Sequence, residues 1–193
     1  MNEDSEKQSA DRQQVDRQCV ERCLGGDQEA FAMLVDRYEK VIFNVAYRMT
    51  GDYDASEDVA QTVFIKAYEN LEGYDPKYRF FSWLYRMAVN ESLNYLKRNQ
   101  RTTALSPTMA SPDRGPEDNC VEAELRRKIR DAMMALEPEY RILIVMRHYG
   151  GRSYREMADA LGLPEKKVKS RLFTARHLLK DILAERGVLR HDS

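Results

Sequence analysis

A basic segment between residues 152 and 180 has the residue types and the spacing of a DNA-binding unit. Its first half has apolar residues at positions i, i+3, i+4 and i+7, which is typical of the buried face of a short helix. These residues are Tyr154, Met157, Ala158 and Leu161. Gly162 ends this helix, and Pro164 begins a second one, where its missing N–H group costs nothing. Two short helices joined by a tight turn predict a helix-turn-helix, whose second helix enters the major groove of DNA.

The second helix of this unit is strongly basic. Glu165 is the only acid against six lysines and arginines between Pro164 and Lys180. The candidate DNA-binding residues of the two helices are Arg152, Arg155, Lys166, Lys167, Lys169, Ser170, Arg171, Thr174 and Arg176. Glu165 either accepts a hydrogen bond from a cytosine amino group or caps the helix, and the cap is favoured. The structural alternative for the whole unit is a helical hairpin with a solvated basic face.

A second candidate surface combines aromatic and basic residues between positions 71 and 98. Aromatic rings interleaved with cations suit single-stranded nucleic acid, because bases stack on the rings while the cations follow the backbone. A loop at Leu71–Arg79 and the helix that follows it supply the candidate residues, which are Tyr74, Tyr78, Arg79, Trp83, Arg86, Asn90, Lys97 and Arg98. Trp83, Arg86 and Asn90 share one helix face. For Trp83 a place in the core is the favoured interpretation.

The third candidate surface is acidic and lies on a helix predicted from Asp54 to Leu71. Acids at the start of a helix can simply compensate its dipole, which is worth a few tenths of a kcal/mol each. They can also bind another protein when polar and apolar side chains continue the same stripe. The candidate contact residues are Glu57, Asp58, Gln61, Thr62 and Ile65.

Charge is distributed unevenly along the 193 residues, although the net charge is only −1. Residues 1–16 carry five acids and two bases, and residues 17–120 carry sixteen acids and thirteen bases. Residues 121–190 carry ten acids and sixteen bases, a balance of +6. Only this last third has the electrostatic character that binding to DNA phosphates requires.

The remaining composition argues against an enzyme and against a cofactor. The chain has three cysteines, an odd number, and no histidine lies near Cys19 or Cys23, so neither a disulfide framework nor a zinc site is expected. No nucleophile–base pair, phosphate-binding loop or metal cluster is recognisable. The first residues lack the apolar core of a signal peptide, and no apolar run has the length of a membrane helix. We therefore expect a soluble, cytoplasmic protein without catalytic activity.

The order of breaks and helical patterns predicts an all-α fold of two small helical domains joined by a flexible linker. Residues 1–14 are predicted to be a disordered acidic tail, and 15–98 to form a first domain of four helices. Residues 99–119 have the Ser, Thr, Pro and Gly content of a linker. Residues 120–186 form the second domain, which contains the helix-turn-helix, and 187–193 are a tail.

Three motifs in this order resemble the extracytoplasmic-function (ECF) sigma factors, the smallest promoter-specificity subunits of bacterial RNA polymerase. They are Asp-Ala-Ser-Glu-Asp-Val-Ala-Gln-Thr-Val-Phe at 54–64, Phe-Ser-Trp-Leu-Tyr-Arg-Met-Ala-Val-Asn at 81–90, and the helix-turn-helix. The resemblance covers residues 20–98 as sigma region 2 and 121–186 as region 4, which is most of the chain.

The resemblance implies a role for each candidate surface. The helix with Asp58 and Gln61 would dock on the β′ clamp helices of core RNA polymerase, which also contacts its sigma factor through the β subunit. The Leu71–Arg79 loop would capture a flipped base of the −10 element, the Trp83–Asn90 helix would help to open that element, and the basic helix would read the −35 element. An anti-sigma factor is implied as a further partner, and a membrane-bound one would hold the protein at the membrane.

Two other classes of protein would account for part of the sequence. A stand-alone helix-turn-helix regulator would bind palindromic duplex DNA as a dimer, without polymerase. It would leave the Asp58–Gln61 face and the Trp83 helix without a purpose. A helical adaptor that binds only protein would leave the basic helix unexplained. Comigration with core RNA polymerase distinguishes a sigma factor from both.

Overall fold

The computed structural model describes residues 3–103 and 120–188, and the side chains of residues 13–99 and 123–188. Within these ranges the chain is helical and has no strand, so the predicted all-α fold is confirmed. The helices are α1 (Glu3–Leu24), α2 (Gln28–Thr50), α3 (Tyr53–Glu69), α4 (Phe80–Thr103), α5 (Cys120–Ala135), α6 (Pro138–Ile144), α7 (Tyr154–Leu161) and α8 (Glu165–Glu185), with a 3-10 turn at Leu71–Gly73 and a π-helical turn at Val145–Tyr149. None of these described helices is both long and apolar enough to cross a membrane.

The first domain is built around α2, which contacts α1, α3 and α4. Asp27 begins this helix because its carboxylate accepts hydrogen bonds from the backbone N–H groups of Glu29 and Ala30. Gly51 ends it at a φ of 72°, in the left-handed region that glycine adopts without strain. The resulting core includes Leu34, Ile42, Met49, Val63 and Leu84.

The second domain packs α8 against α5, α6 and α7. Val168, Leu172 and Ala175, the predicted inner side of the second helix of the helix-turn-helix, are all buried. Helix α6 widens at its end into the π-helical turn, where the Gly150 N–H group donates to the Val145 carbonyl at 2.9 Å. This turn sets the direction in which the chain enters α7.

The N-terminal segment differs from its prediction. Residues 1–14 are predicted to be disordered, whereas α1 begins at Glu3. The segment Glu3–Leu24 contains no glycine or proline, so nothing in its sequence stops a helix. Once its C-terminal half packs on α2, adding turns towards the N-terminus requires no new nucleation.

The linker also begins later in the chain than predicted. Helix α4 continues to Thr103, beyond the predicted end at Arg98. The remainder of the predicted linker, residues 104–119, and residues 189–193 lie outside the described residues.

The two domains are in direct contact, and one buried arginine forms a bridge between them. Arg141 in α6 donates to the carbonyl oxygens of Met134 at 2.7 Å and Leu136 at 2.9 Å within its own domain. The same guanidinium donates across the interface to the Met49 carbonyl at the end of α2. Helix α2 ends at Gly51, so no N–H group of a following helical turn can donate to the Met49 carbonyl. Arg141 donates to it instead.

Candidate polymerase and promoter interfaces

One side of α3 carries the residues predicted to contact RNA polymerase. Asp52 has a structural task, because its carboxylate accepts from the Ala55 N–H group at 2.8 Å and so caps the helix. Of the candidate residues, Thr62 is half-buried and the others are exposed: Glu57, Asp58, Gln61 and Ile65. Ile65 is 53% exposed, and Tyr68 beyond it is 45% exposed. The apolar surface continues the acidic stripe, which compensation of a helix dipole does not explain.

A polar cleft of about 420 Å³ lies beside this face, between α3 and α4. Its walls include Asp58, Gln61, Thr62, Glu91 and Tyr95. Burial raises the pKa of Tyr95, and the negative charges of Asp52 and Asp58 raise it further. Lys66 of α3 forms an ion pair with Glu91 of α4 at 2.7 Å. This pair joins the two walls and fixes the width of the cleft.

The loop that follows α3 has a defined backbone, although most of its side chains reach solvent. The Tyr74 hydroxyl donates to the Tyr78 carbonyl at 2.6 Å. The Asp75 carboxylate accepts from the Lys77 N–H group at 2.9 Å, which forms a local turn. Tyr78 is 64% exposed, and Arg79 is also exposed. Both predicted contact residues are therefore accessible to a nucleic acid.

Tyr74 is the exception in this loop. Its side chain is only 7% exposed, and its ring centroid lies 5.5 Å from that of Phe80 and 5.4 Å from that of Trp83. Burial also raises the pKa of its hydroxyl. The predicted contact of Tyr74 with DNA is wrong for this structure, because its ring is buried against those of Phe80 and Trp83 and is not accessible to a base. Tyr74 instead stabilises the backbone of the loop through the bond from its hydroxyl to the Tyr78 carbonyl.

Helix α4 presents the other predicted residues along its length. Trp83 is half-buried against Tyr74 and Phe80, in line with its favoured place in the core. Arg86 and Asn90 are exposed on successive turns. Lys97 and Arg98 are exposed further along the same helix. An exposed strip of polar and basic groups therefore leads away from the Tyr78 loop.

Arg152 lies between the two domains and not on the outer surface of the helix-turn-helix. Its guanidinium carbon is 4.6 Å from the Phe81 ring centroid and 5.6 Å from that of Tyr85. Its Nε donates to the Gly150 carbonyl at 2.7 Å, and its Nη1 pairs with Glu156 at 3.3 Å. With its side chain 16% exposed and turned to α4, Arg152 is not accessible to DNA while the two domains are packed together, and its contact with DNA stays a prediction.

The helix-turn-helix is shaped by interactions that its sequence prescribes. The Ser153 hydroxyl accepts from the Glu156 N–H group, and the Glu156 carboxylate accepts from the Ser153 N–H group, which closes a capping box. Gly162 ends α7 at a φ of 63°. Glu165 is the first residue of α8, and its carboxylate pairs with Lys169 at 2.7 Å. The favoured capping role of Glu165 is wrong, because its side chain points along the helix to the next turn.

The outer face of α8 carries the basic residues. Its exposed candidates are Lys166, Lys167, Lys169, Ser170, Thr174 and Arg176, and Arg155 is exposed on α7. Arg171 is half-buried and pairs with Glu139 at 2.8 Å. The Arg176 Nε donates to His148 at 3.3 Å. Burial, followed by the charges of neighbouring arginines, lowers the pKa of His148, which favours the neutral ring that accepts this bond.

Phe173 is a candidate that the sequence analysis missed. Its side chain is 65% exposed on α8, with its ring centroid 4.2 Å from that of His177. The sequence indicates this exposure, because helical periodicity places Phe173 on a different face of α8 from Val168 and Leu172. Apolar side chains on a recognition helix can contact the methyl group of thymine.

The described cysteines, Cys19 and Cys23, are free thiols on α1. Cys19 is buried and Cys23 is half-buried, and burial raises the pKa of the Cys23 thiol. The side chain of Cys120 lies outside the described residues. Among the side chains that are described, no group of three or more His, Cys, Asp or Glu residues could hold a metal ion.

Two family models match the two domains. The Sigma-70 region 2 model matches residues 34–102, and the Sigma-70, region 4 model matches residues 126–179. The first range holds the α3 face, the Tyr78 loop and α4, and the second holds the helix-turn-helix. Together they define the class of the protein as a transcription initiation factor of the sigma-70 type.

Relatives with established names extend along nearly the whole chain. The ECF RNA polymerase sigma factor SigW of Bacillus subtilis is 32% identical over 178 residues, which cover 86% of this chain and 95% of that protein. The ECF RNA polymerase sigma-E factor of Escherichia coli K12 is 34% identical over 172 residues, covering 83% and 90%. This chain belongs to the ECF sigma factors of the sigma-70 family. It is an alternative sigma factor that directs promoter-specific transcription, and it is a DNA-binding initiation factor, not a catalytic enzyme.

Solved structures have the same fold. CnrH, in complex with the cytosolic domain of CnrY, superposes with a TM-score of 0.67 at 26% identity, covering 89% of this chain and 98% of that one. The sigma factor RpoE of Bartonella quintana, in complex with the anti-sigma factor NepR, has a TM-score of 0.65 at 20% identity, covering 79% and 96%. The second likeness shows the fold alone.

Proposed function

We propose that this sigma factor divides promoter recognition among three separate surfaces. The exposed side of α3 contacts core RNA polymerase, the 74–79 loop and α4 bind the −10 element, and α7 and α8 bind the −35 element. The observation that carries this proposal is that each surface exposes a different chemistry. The α3 face is acidic and apolar, the loop and α4 are aromatic and cationic, and α8 is basic.

The α3 face fits a protein partner better than a nucleic acid. Asp58 and Gln61 offer hydrogen-bonding groups, and the exposed side chain of Ile65 offers apolar area beside them. The carboxylates would repel DNA phosphates, whereas they can pair with cations on the β′ clamp helices. Each hydrogen bond to a charged group at such an interface contributes about 1.5–3 kcal/mol.

The 74–79 loop and α4 fit a single strand that leaves the duplex. Unstacking a base step costs a few kcal/mol, and contacts to the flipped base and to the opened strand must offset this cost. The exposed ring of Tyr78 can stack on a base, and Arg79 and Arg86 can follow the phosphates. Asn90 can form hydrogen bonds with a base edge once pairing is lost. Melting would then proceed from the loop along α4.

The basic helix α8 fits the major groove. Lys166 and Lys167 lie at its N-terminal end, which reaches base edges first in a helix-turn-helix complex. Arg171 can join them when it exchanges Glu139 for a base. Arg155 on α7 and Arg176 in the second half of α8 lie away from this N-terminal end, and both would contact phosphates. Phe173 adds an apolar contact suited to a thymine methyl group.

The domains would have to separate before both promoter elements are bound. Arg141 and Arg152 tie the second domain to α2 and α4, and α4 belongs to the proposed −10 surface. Two of the similar sigma factors, CnrH and RpoE, are in complexes with CnrY and with the anti-sigma factor NepR. We infer that an anti-sigma factor also binds this chain and keeps its domains together in the cytoplasm, and that core polymerase replaces it.

Reconstitution with core RNA polymerase tests this function. The full-length protein should comigrate with core enzyme in size-exclusion chromatography. The resulting holoenzyme should transcribe a reproducible subset of a library with random −35 and −10 sequences, whereas core enzyme alone should select none. If the protein does not bind core enzyme but binds palindromic duplex DNA as a dimer, the proposal is wrong and the protein is a stand-alone regulator.

A further inference from the structure

The 74–79 loop is held by a residue that lies far from it in the sequence. Arg17 of α1 donates from Nη2 to the Pro76 carbonyl at 2.8 Å. The other described hydrogen bonds within the loop are local, and they join the Tyr74 hydroxyl to the Tyr78 carbonyl, the Lys77 N–H group to the Asp75 carboxylate and the Tyr78 N–H group to the Asp75 carbonyl. Among the described hydrogen bonds, only the one from Arg17 connects the exposed tip of the loop, at Pro76, to helix α1.

Helix α1 gives Arg17 a rigid base. The neighbouring residue Asp16 is buried, and its carboxylate accepts from Arg37 Nη1 at 2.8 Å and from the Tyr38 hydroxyl at 2.5 Å. Cys19, one turn on, is buried in the core. The backbone of α1 at Arg17 is therefore fixed against α2, so the guanidinium can fix the loop in turn.

Arg17 is half-buried at the edge of the first domain, and it holds this place at an energetic cost. Its Nε is buried, and within the described part of the chain it has no hydrogen-bond partner. A buried donor without a partner destabilises a fold, and such donors concentrate where a residue serves another purpose. This guanidinium reaches the candidate DNA surface through its bond to the Pro76 carbonyl and through its positive charge, which opposes the rise that burial causes in the pKa of Tyr74.

We propose that Arg17 is a positioning residue for −10 recognition, which holds the 74–79 loop in the shape that receives the flipped base. This inference rests on the proposed function, which assigns the loop to the −10 element. Its physical basis is preorganisation. A loop that is ordered before binding does not lose conformational entropy when the base arrives, so more of the free energy of its contacts appears as affinity.

The experiment compares Arg17→Gln and Arg17→Lys with a control on the same helix. Arg22 pairs with Asp27 on the surface, away from the loop, so Arg22→Gln removes a similar side chain and charge. Full-length variants are bound to core polymerase. Wild-type holoenzyme first selects its preferred sequence from single-stranded DNA with a randomised −10 region. The affinities for this oligonucleotide and for all its single-base variants are then measured.

We expect Arg17→Gln to bind the preferred strand about tenfold more weakly, since about 1.4 kcal/mol of ordering corresponds to a factor of ten. It should also lose discrimination at one base position and keep it at the others. Arg17→Lys, which can still donate to the Pro76 carbonyl, should recover most of both losses, and Arg22→Gln should behave as wild type. An equal loss for all sequences with a smaller salt slope would show that Arg17 holds a phosphate, and would overturn the inference.

Amide hydrogen exchange of the protein without DNA separates this inference from the proposed function. Arg17→Gln should speed exchange in residues 75–79, and unchanged exchange would overturn the inference. If exchange rises but discrimination is unchanged, Tyr78→Ala decides between the two ideas. A Tyr78→Ala variant that loses discrimination leaves the loop as the −10 site and refutes only the role of Arg17. A Tyr78→Ala variant without effect refutes the −10 assignment of the loop, and the inference with it.

Discussion

The guanidinium of Arg152 lies 4.6 Å from the ring centroid of Phe81, so a cation of the helix-turn-helix domain covers an aromatic ring of the helix assigned to the −10 element. The neighbouring Tyr85 approaches the same segment so closely that a Cβ on Gly150 would lie 2.5 Å from its hydroxyl oxygen. The packing of the two domains thus includes, besides the bond from Arg141 to Met49, one charge over a ring and one position without a side chain. Both DNA-binding parts of the molecule contribute to this contact.

Removing the Arg152 side chain should open the molecule. A cation over aromatic rings contributes about 0.5–2 kcal/mol, so Arg152→Ala should shift the equilibrium towards separated domains severalfold. Small-angle X-ray scattering of the free protein should then show a larger radius of gyration than in wild type. Arg155→Ala, which removes an exposed arginine from the same helix-turn-helix, is the control and should leave the radius unchanged. An equally compact Arg152→Ala variant would refute this role of Arg152 and leave the domain contact to the remaining interactions, among them Arg141 with Met49 and Arg48 with Tyr149.

Charge reversal on the α3 face should weaken binding to core polymerase. Asp58 and Gln61 are exposed beside Ile65, so Asp58→Arg together with Gln61→Ala removes two polar contacts without disturbing the core. Each lost contact should cost about 1–3 kcal/mol of binding free energy. A titration of labelled core enzyme measures this loss, and circular dichroism checks that the helices remain. Asp181→Arg, the same reversal at an exposed site on α8, should bind as wild type does, and an unaltered affinity of the α3 variant would refute the docking face.

Strand opening should depend on the ring of Tyr78 and on Asn90. Tyr78→Ala removes a ring that is 64% exposed, and the loss of one stacked base is worth about 1–3 kcal/mol. Permanganate should therefore modify the thymines of the −10 element less in Tyr78→Ala and Asn90→Ala holoenzymes, while protection of the −35 element persists. Tyr78→Phe keeps the ring and should melt DNA normally. Normal melting by both alanine variants would assign the loop and helix a structural role only.

The sequence predicted the parts of the fold that depend on local chemistry. The helix-turn-helix is a case in point, since the spacing from Tyr154 to Leu161, the glycine at 162 and the proline at 164 prescribe it without reference to the remainder of the chain. The acidic face of α3 was found in the same way. Each signal lies within a few helical turns, where propensity and periodicity act directly.

The contacts that were missed or misassigned all depend on distant residues. Tyr74 was assigned to DNA because its type suits stacking, but Phe80 and Trp83 enclose it. Arg152 is a candidate for DNA binding by its charge and its place beside the helix-turn-helix, but in this packing its guanidinium lies over the Phe81 ring of α4. The bond from Arg17 to Pro76 spans 59 positions. Residue type and spacing indicate what a side chain can bind, whereas the packing of domains decides what it does bind.

The basic residues of the recognition helix should divide into two functional kinds. Lys166, Lys167 and Arg171 lie in the N-terminal half of α8, which enters the groove, so they should include base readers. Arg176 and Lys180 lie further along and should hold phosphates, as should Arg155 on α7. The distinction is testable because base contacts carry sequence information and phosphate contacts do not.

Transcription by variant holoenzymes from a library of −35 sequences measures this division. Lys167→Ala or Arg171→Ala should cost about 1–3 kcal/mol on the preferred −35 site and reduce discrimination against substituted sites. Lys180→Ala is the matched control, since it removes an exposed cation of the same helix. It should weaken all promoters alike and lower the salt slope by about one unit. Arg171 has an additional requirement, because it must release Glu139 before it can reach a base. If Arg171→Ala lowers every promoter by the same factor, the arginine serves its pair with Glu139 or a phosphate, and the proposed division of this helix is wrong.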